Sequence, residues 1–119
     1  MKKFAVIILM LVSFMTLIAQ TEIKSRLTDE EINNLTSKLA MKLLLNDSQK
    51  SAVSGLLKTY GTELEKITAG SGEIRYKDKQ ELISSINSQV ESLLDSKQKM
   101  KYDVLENDWW SSITSAENN

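Results

Sequence analysis

The residue types that carry most enzyme chemistry are scarce in this chain, which contains neither histidine nor cysteine. Carboxylates are plentiful, for example at Asp103, Glu106 and Asp108. A general acid or base must lie within hydrogen-bond reach of a substrate. Carboxylates at this spacing on a helix are instead typical of a solvated face. The stretch Gly70-Ser71-Gly72 lacks the lysine and hydroxyl residue of a phosphate-binding loop. We therefore expect that the protein is not an enzyme and uses no cofactor.

Charge and ligand chemistry argue against two further kinds of partner. Zinc sites use thiolate and imidazole ligands, so we expect no metal. The chain has 15 basic and 16 acidic residues, and loss of Lys2 and Lys3 with a leader would make the net charge −3. A nucleic-acid binder needs a basic face, so we expect no nucleic-acid partner.

Residues 1–19 have the pattern of a secretory signal peptide. Met1-Lys2-Lys3 is basic, residues 4–18 are nearly all apolar, and Ala19 precedes a polar start. Such leaders are removed on export, so we expect cleavage after Ala19 and a periplasmic or secreted protein. The apolar run is short for a membrane span of about 20 residues, although an uncleaved inner-membrane anchor is the alternative. The lack of cysteine excludes a lipoprotein anchor.

Two short motifs organise the remainder of the chain. Residues 45–49 read Leu-Asn-Asp-Ser-Gln and residues 94–98 read Leu-Asp-Ser-Lys-Gln. An Asn or Asp followed three residues later by Gln has the spacing of a capping box, which starts a helix. Residues 28–31, from Thr28 to Glu31, form a looser third box. The predicted capping residues are Leu45, Asn46, Gln49, Leu94, Asp95 and Gln98.

Apolar residues at helical spacing predict four helices, and therefore an all-α fold. The predicted helices start at Thr28, Asn46, about Glu73 and Asp95, and the last ends near Ser115. We expect a flexible lead-in over residues 20–27, one helical domain over residues 28–115 and a disordered tail over residues 116–119. The two main boxes are 49 residues apart. The apolar stripes of the second and fourth helices, which we call their seams, align at the same offset. This indicates a repeat of one capped turn and one long helix.

At these motifs the chain resembles the Spy/CpxP family, periplasmic proteins in which a Leu-Thr-x-x-Gln motif opens a helix twice. Asn46 and Asp95 stand where the family has threonine, and both are good N-caps. The resemblance covers about residues 28–113. It implies helical hairpins that dimerise into a thin cradle, with a role as an ATP-independent chaperone or in envelope-stress signalling. This chain is shorter than typical members and slightly acidic, whereas the chaperone's cradle is noted for positive charge. It also lacks the histidine and cysteine expected for the metal-binding branch.

Several residues outside the predicted seams are candidate contacts for clients or for a second copy. Met41, Met100 and Val104 lie off the seams, and Trp110 is turned about 100° from Trp109, so it should lie at the seam's edge or be exposed. Flexible methionine and amphipathic tryptophan suit varied partners, although scattered surface apolar residues are the alternative.

A basic run at the start of the third predicted helix is the second candidate surface. It consists of Arg75, Lys77 and Lys79. Solvated lysines are the ordinary interpretation, but in a cradle these side chains would attract acidic client segments.

Our leading hypothesis is a non-enzymatic, ATP-independent binder of unfolded or stressed envelope proteins, built from two capped helical hairpins and forming a homodimer. The alternative is a regulatory adaptor that docks on one partner, such as a sensor domain. A plain structural helical protein is the third possibility.

Overall fold

The computed structural model describes residues 27–70 and 75–117, and within them every regular element is an α-helix. The predicted leader and residues 20–26 of the lead-in lie outside the described residues. The helices are α1 (Asp29–Leu43), α2 (Asp47–Ala69), α3 (Lys79–Ser92) and α4 (Ser96–Glu117). The prediction of an all-α protein with four helices is confirmed.

Three of the helices begin at the predicted capping boxes. The Thr28 hydroxyl accepts from the Glu31 amide at 3.1 Å, and the Glu31 carboxylate accepts from the Thr28 amide at 2.9 Å. Asn46 caps α2 in the same reciprocal way. Asp95 does so for α4, as described below. Each helix start leaves four amides without an intrahelical acceptor. These side chains supply acceptors for some of those amides.

The third helix begins later than predicted. We expected it from about Glu73, but α3 starts at Lys79 behind the N-cap Asp78, whose carboxylate accepts from the Glu81 amide at 2.9 Å. Arg75 and Lys77 therefore precede the helix. The signal was present in the sequence, since Asp78 and Glu81 have the spacing of a capping box.

Both ends of the described domain are more ordered than predicted. Leu27, assigned to a flexible lead-in, is buried together with Ile32, as a hydrophobic staple at the start of α1 requires. Helix α4 continues to Glu117, which is also buried, so the prediction of a disordered tail is wrong for Ala116 and Glu117.

One apolar core joins the four helices. Helix α1 packs against α2 and α4, and α2 packs against α3. The most completely buried side chains include Leu39, Val53, Leu57, Tyr60, Leu82, Ile86, Val90, Tyr102 and Ile113. Among the described residues, no helix combines the length and apolarity needed to cross a membrane.

Burial follows the predicted repeat. Val53 and its counterpart Tyr102 are both fully buried, and so are Leu64 and Ile113 to within a few per cent. Leu56 and Leu105 are both half-buried. Helices α2 and α4 therefore turn equivalent faces toward the core, which places their two capping boxes in equivalent surroundings.

Candidate functional site

The two capping glutamines contact each other in the folded protein. Gln49 closes its own box with Asn46, through bonds of 2.8 and 3.0 Å. Its side-chain amide then donates to the Leu93 carbonyl at 2.9 Å and to the Gln98 Oε1 atom at 2.8 Å. The box that starts α2 therefore also donates a hydrogen bond to the end of α3.

Gln98 makes the reciprocal set of bonds. It closes its box with Asp95 at 2.8 and 3.0 Å. Its Nε2 donates toward the Leu43 and Leu44 carbonyls at 3.3 and 3.4 Å and to the Gln49 Oε1 atom at 3.2 Å. We call residues 43–49 and 92–98 the interlocked turns, because each turn caps its own helix and binds the end of the helix that precedes the other.

Contacts across α1 and α4 fix how these two helices lie relative to each other. The Trp109 indole donates to the Leu35 carbonyl at 3.0 Å, and Gln98 reaches the carbonyl of Leu43. The later α1 residue contacts the earlier α4 residue, so the helices run in opposite directions. This register brings the end of α1 level with the first two turns of α4.

Four large apolar side chains in this region are solvent-exposed. We refer to them together as the outer apolar surface: Met41 (78% exposed), Leu44 (75%), Met100 (72%) and Val104 (87%). Met41 is two positions from the buried Leu39 and Leu43, and a two-residue step on a helix turns a side chain by about 200°. Met100 and Val104 are each two positions from the buried Tyr102. All three therefore point away from the core, as the sequence predicted.

Leu44 also has an unusual backbone conformation. It lies in the left-handed region, with φ 57° and ψ 52°, and is the non-glycine residue with positive φ within the described segments. Glycine is the usual residue at such a helix end, and a bulky side chain in this conformation costs about 1–2 kcal/mol. The chain therefore keeps an exposed leucine where its backbone favours glycine.

Trp110 is not exposed. It is 9% accessible, and its ring stacks edge-on against Tyr60 and Trp109 with centroids 5.4 and 5.7 Å apart. Its indole donates to the Asn87 Oδ1 atom at 3.0 Å. Of the two predicted positions, the seam's edge is the one observed. The prediction of Trp110 as a contact for clients or for a second copy therefore needs correction, because its ring packs among buried core side chains.

Asn87 is a polar centre that the sequence did not reveal. Its carbonyl oxygen accepts from the Tyr102 hydroxyl at 2.5 Å as well as from Trp110, and its amide donates to Glu106 at 3.3 Å. Burial raises the pKa of the Tyr102 phenol well above its usual range, and nearby carboxylates such as Glu106 add to the effect. The phenol is therefore held as a neutral donor.

Three carboxylates near Asn87 are the candidate ligands for a cation. One oxygen each from Glu91, Asp103 and Glu106 lies within 4.8 Å of the others. Oxygen ligands of this kind suit Mg²⁺ or Ca²⁺. The Asn87 amide already donates to Glu91 and Glu106, and exposed acidic groups are common on helices without an ion. We assign no metal site here.

The predicted basic run is divided by the fold. Arg75 and Lys77 are exposed ahead of α3. Lys79 instead forms an ion pair with the buried carboxylate of Glu117, which also accepts from the Tyr60 hydroxyl at 2.6 Å. Lys79 therefore serves the contact between α3 and the end of α4, and only Arg75 and Lys77 remain as candidate client contacts.

Within residues 27–70 and 75–117, the fold and these contacts define an arrangement of four helices built on a pair of interlocked capped turns. No protein-family model, curated protein or solved structure matches the chain.

Proposed function

We propose that the chain is a non-enzymatic, chaperone-like protein that binds unfolded or stressed envelope proteins without ATP. The observation that carries this proposal is the outer apolar surface, four large apolar side chains that are at least 72% exposed beside the interlocked turns. Isolated exposed apolar residues are ordinary, but here they share one end of two packed helices.

The chemistry of this surface suits an unfolded client. Burial of apolar area stabilises a complex by roughly 25 cal/mol per Å², and it needs no defined sequence in the partner. Met41 and Met100 have flexible thioether side chains that adapt to different shapes. Leu44 adds a third apolar group, and its strained backbone is consistent with retention for binding, because strain of this kind clusters at functional sites.

The finer architecture belongs to the same proposal. The two capped segments, α1 with α2 and α3 with α4, form two helical hairpins, and two copies of the chain dimerise into a thin cradle as in the family it resembles. The leader is cleaved after Ala19 and the protein acts in the periplasm. Support comes from the paired boxes at Asn46 and Asp95 and from the apolar character of residues 4–18.

An aggregation assay tests the proposal. Purified protein covering residues 20–119 is mixed with a chemically unfolded client, and light scattering is followed after dilution. We expect slower aggregation at a near-stoichiometric ratio, with no dependence on ATP. No protection at severalfold excess, together with one tight complex in a pull-down from envelope extract, would favour the alternative of an adaptor for a single partner. Sedimentation of the same sample tests the dimer.

A further inference from the structure

A second surface, between α1 and α2, has a different chemistry. A groove of about 400 Å³ lies between these helices and is lined by eight residues. Each of them is asparagine, threonine, serine, glycine or lysine, so the lining holds neither a carboxylate nor a large apolar side chain. Lys50 and Lys58 supply its positive charge, and among the described residues neither lysine has a carboxylate within ion-pair distance.

One lining residue has an unmet hydrogen-bonding requirement. Thr36 is 95% buried, given its 5% exposure, and its Oγ1 atom has no hydrogen-bond partner among the described residues. A buried polar group without a partner costs roughly 1–3 kcal/mol. Ser37 and Ser51 add hydroxyl groups at the same groove. The lining therefore offers several hydrogen-bond donors and contains no anionic acceptor.

Gly55 keeps the groove open. A Cβ atom at this position would meet nothing within 4 Å, so glycine is not required there by close packing of another helix. Glycine inside a helix destabilises it by about 1 kcal/mol relative to alanine. The structure shows an open space beside Gly55 that a larger side chain would occupy.

We propose that this groove binds the carboxylates of an acidic polypeptide segment. Charge complementarity identifies this occupant, because the groove is lined by two lysines without an ion pair among the described residues and by several serines, with no acid among them. The groove also adjoins the outer apolar surface, since Ser37 and Met41 are four residues apart on α1 and therefore neighbours on one face. The inference rests on the proposed function, of which it names the client class: acidic residues next to apolar ones.

The spacing of the lysines specifies the segment further. Lys50 and Lys58 are eight residues apart on α2, or about 12 Å along the helix axis. An extended chain advances roughly 3.3 Å per residue and turns alternate side chains to one side, so glutamates four residues apart span about 13 Å on the same side. The groove therefore fits an extended segment with the pattern Glu-x-x-x-Glu.

A peptide-binding experiment tests the proposal directly. Protein produced from the full-length sequence is titrated with an extended peptide of about ten residues that carries Glu-x-x-x-Glu in a serine background, and with the same peptide carrying glutamine. We expect the glutamate peptide to bind about tenfold more tightly at low salt, where exposed charges are least screened, and to shift the NMR signals of Thr36 and Ser51. Equal affinity for the two peptides would overturn the proposal.

Matched variants separate the groove from general attraction between opposite charges. Lys50→Gln with Lys58→Gln removes two charges from the groove, whereas Lys97→Gln with Lys99→Gln removes two exposed charges from α4. Gly55→Leu fills the groove without a change in charge, and Gly55→Ala controls for the loss of glycine. We expect weaker peptide binding with Lys50→Gln/Lys58→Gln and with Gly55→Leu, and retained binding with the two controls. Equal losses in both lysine pairs would contradict a specific groove.

Two further measurements distinguish failure of the groove proposal from failure of the proposed function. In the first, inorganic phosphate is added at the same total concentration of negative charge as the peptide. If phosphate displaces the peptide, the groove binds small anions, and the polypeptide proposal is overturned. The Lys50→Gln/Lys58→Gln variant should still protect a client without acidic residues from aggregation. Loss of that protection would contradict two separable surfaces, while peptide binding without any aggregation protection would overturn the proposed function and leave the groove in place.

Discussion

Gln49 and Gln98 are 49 residues apart in the chain, and their side-chain amides bond to each other reciprocally, at 2.8 and 3.2 Å. Each also closes a capping box and binds a carbonyl at the end of a distant helix. Local helix signals and the long-range contact therefore use the same two side chains. Any change at either residue should affect both levels of structure together.

Alanine at these positions tests the interlocked turns. Gln49→Ala and Gln98→Ala should each lower the free energy of unfolding by about 1–3 kcal/mol, since each loses a cap and leaves polar groups unpaired. Because the two residues are bonded, the double variant should depart from additivity by about 0.5 kcal/mol or more. Urea unfolding measures all three values.

A second double-mutant cycle serves as the control and uses the separate capping box at the start of α1. Thr28→Ala should cost about 1 kcal/mol for its cap, and its effect should add to that of Gln49→Ala, because the two boxes share no hydrogen bond. Additivity in the Gln49–Gln98 cycle as well would mean that the observed amide pair contributes nothing to stability.

Leu44→Gly should stabilise the protein although it removes an apolar side chain. The left-handed conformation at this position favours glycine by about 1 kcal/mol, and the leucine side chain is 75% exposed, so its loss removes little burial. Thermal or urea unfolding measures the gain. Leu44→Ala is the control, since it removes the same apolar contact but keeps the backbone strain, and it should give no such gain.

The end of α4 should be required for full stability. Glu117→Gln weakens the bonds from the Tyr60 hydroxyl and the Lys79 ammonium to a buried carboxylate, and hydrogen bonds to charged groups contribute roughly 1.5–3 kcal/mol. We expect a loss of about that size in urea unfolding. Asp108→Asn at an exposed position of α4 provides a control for the loss of one negative charge. Removal of residues 116–119 without any loss would show that Glu117 is not an anchor.

Alkaline pH should destabilise the protein through Tyr102. The folded state raises the pKa of this phenol, whereas in the unfolded chain it ionises near its ordinary value of about 10. The protonated Tyr102 phenol therefore contributes fully to stability below pH 10. This contribution is lost as the pH rises above 10, because the unfolded state then releases the phenol proton more readily than the folded state does. Urea unfolding between pH 9 and 11 should show a shallower decline for Tyr102→Phe than for the parent chain.

The sequence predicted the helix starts at Thr28, Asn46 and Asp95 well because both partners of each capping box lie within four residues. It missed the start of α3, which was predicted at about Glu73 although Asp78 and Glu81 carry an equally local capping signal. The contacts of Asn87 and Glu117 had no local signal, because their partners lie on other helices and only tertiary packing brings them together. Trp110 was placed at the seam's edge by its angle, but its burial depends on Tyr60 across the core.

The outer apolar surface was predicted in part for the same reasons. Helical angles place Met41, Met100 and Val104 away from the seams, so their exposure followed from the sequence. Leu44 did not follow, because its exposure results from the left-handed turn that ends α1. The groove beside Gly55 was also not predicted, since a groove depends on how two helices lie together.

The central claim is that the outer apolar surface binds unfolded polypeptide, and one comparison of variants tests it most directly. Met41→Ser, Met100→Ser and Val104→Ser are combined in one chain, and the control chain carries Asn34→Ser, Asn107→Ser and Ser111→Ala at exposed polar positions of the same helices. Both should unfold at nearly the parent urea midpoint, because surface changes usually shift stability by less than about 0.5 kcal/mol. We expect the apolar variant to lose most of its protection of an unfolded client while the control retains it. Full protection by the correctly folded apolar variant would contradict the account.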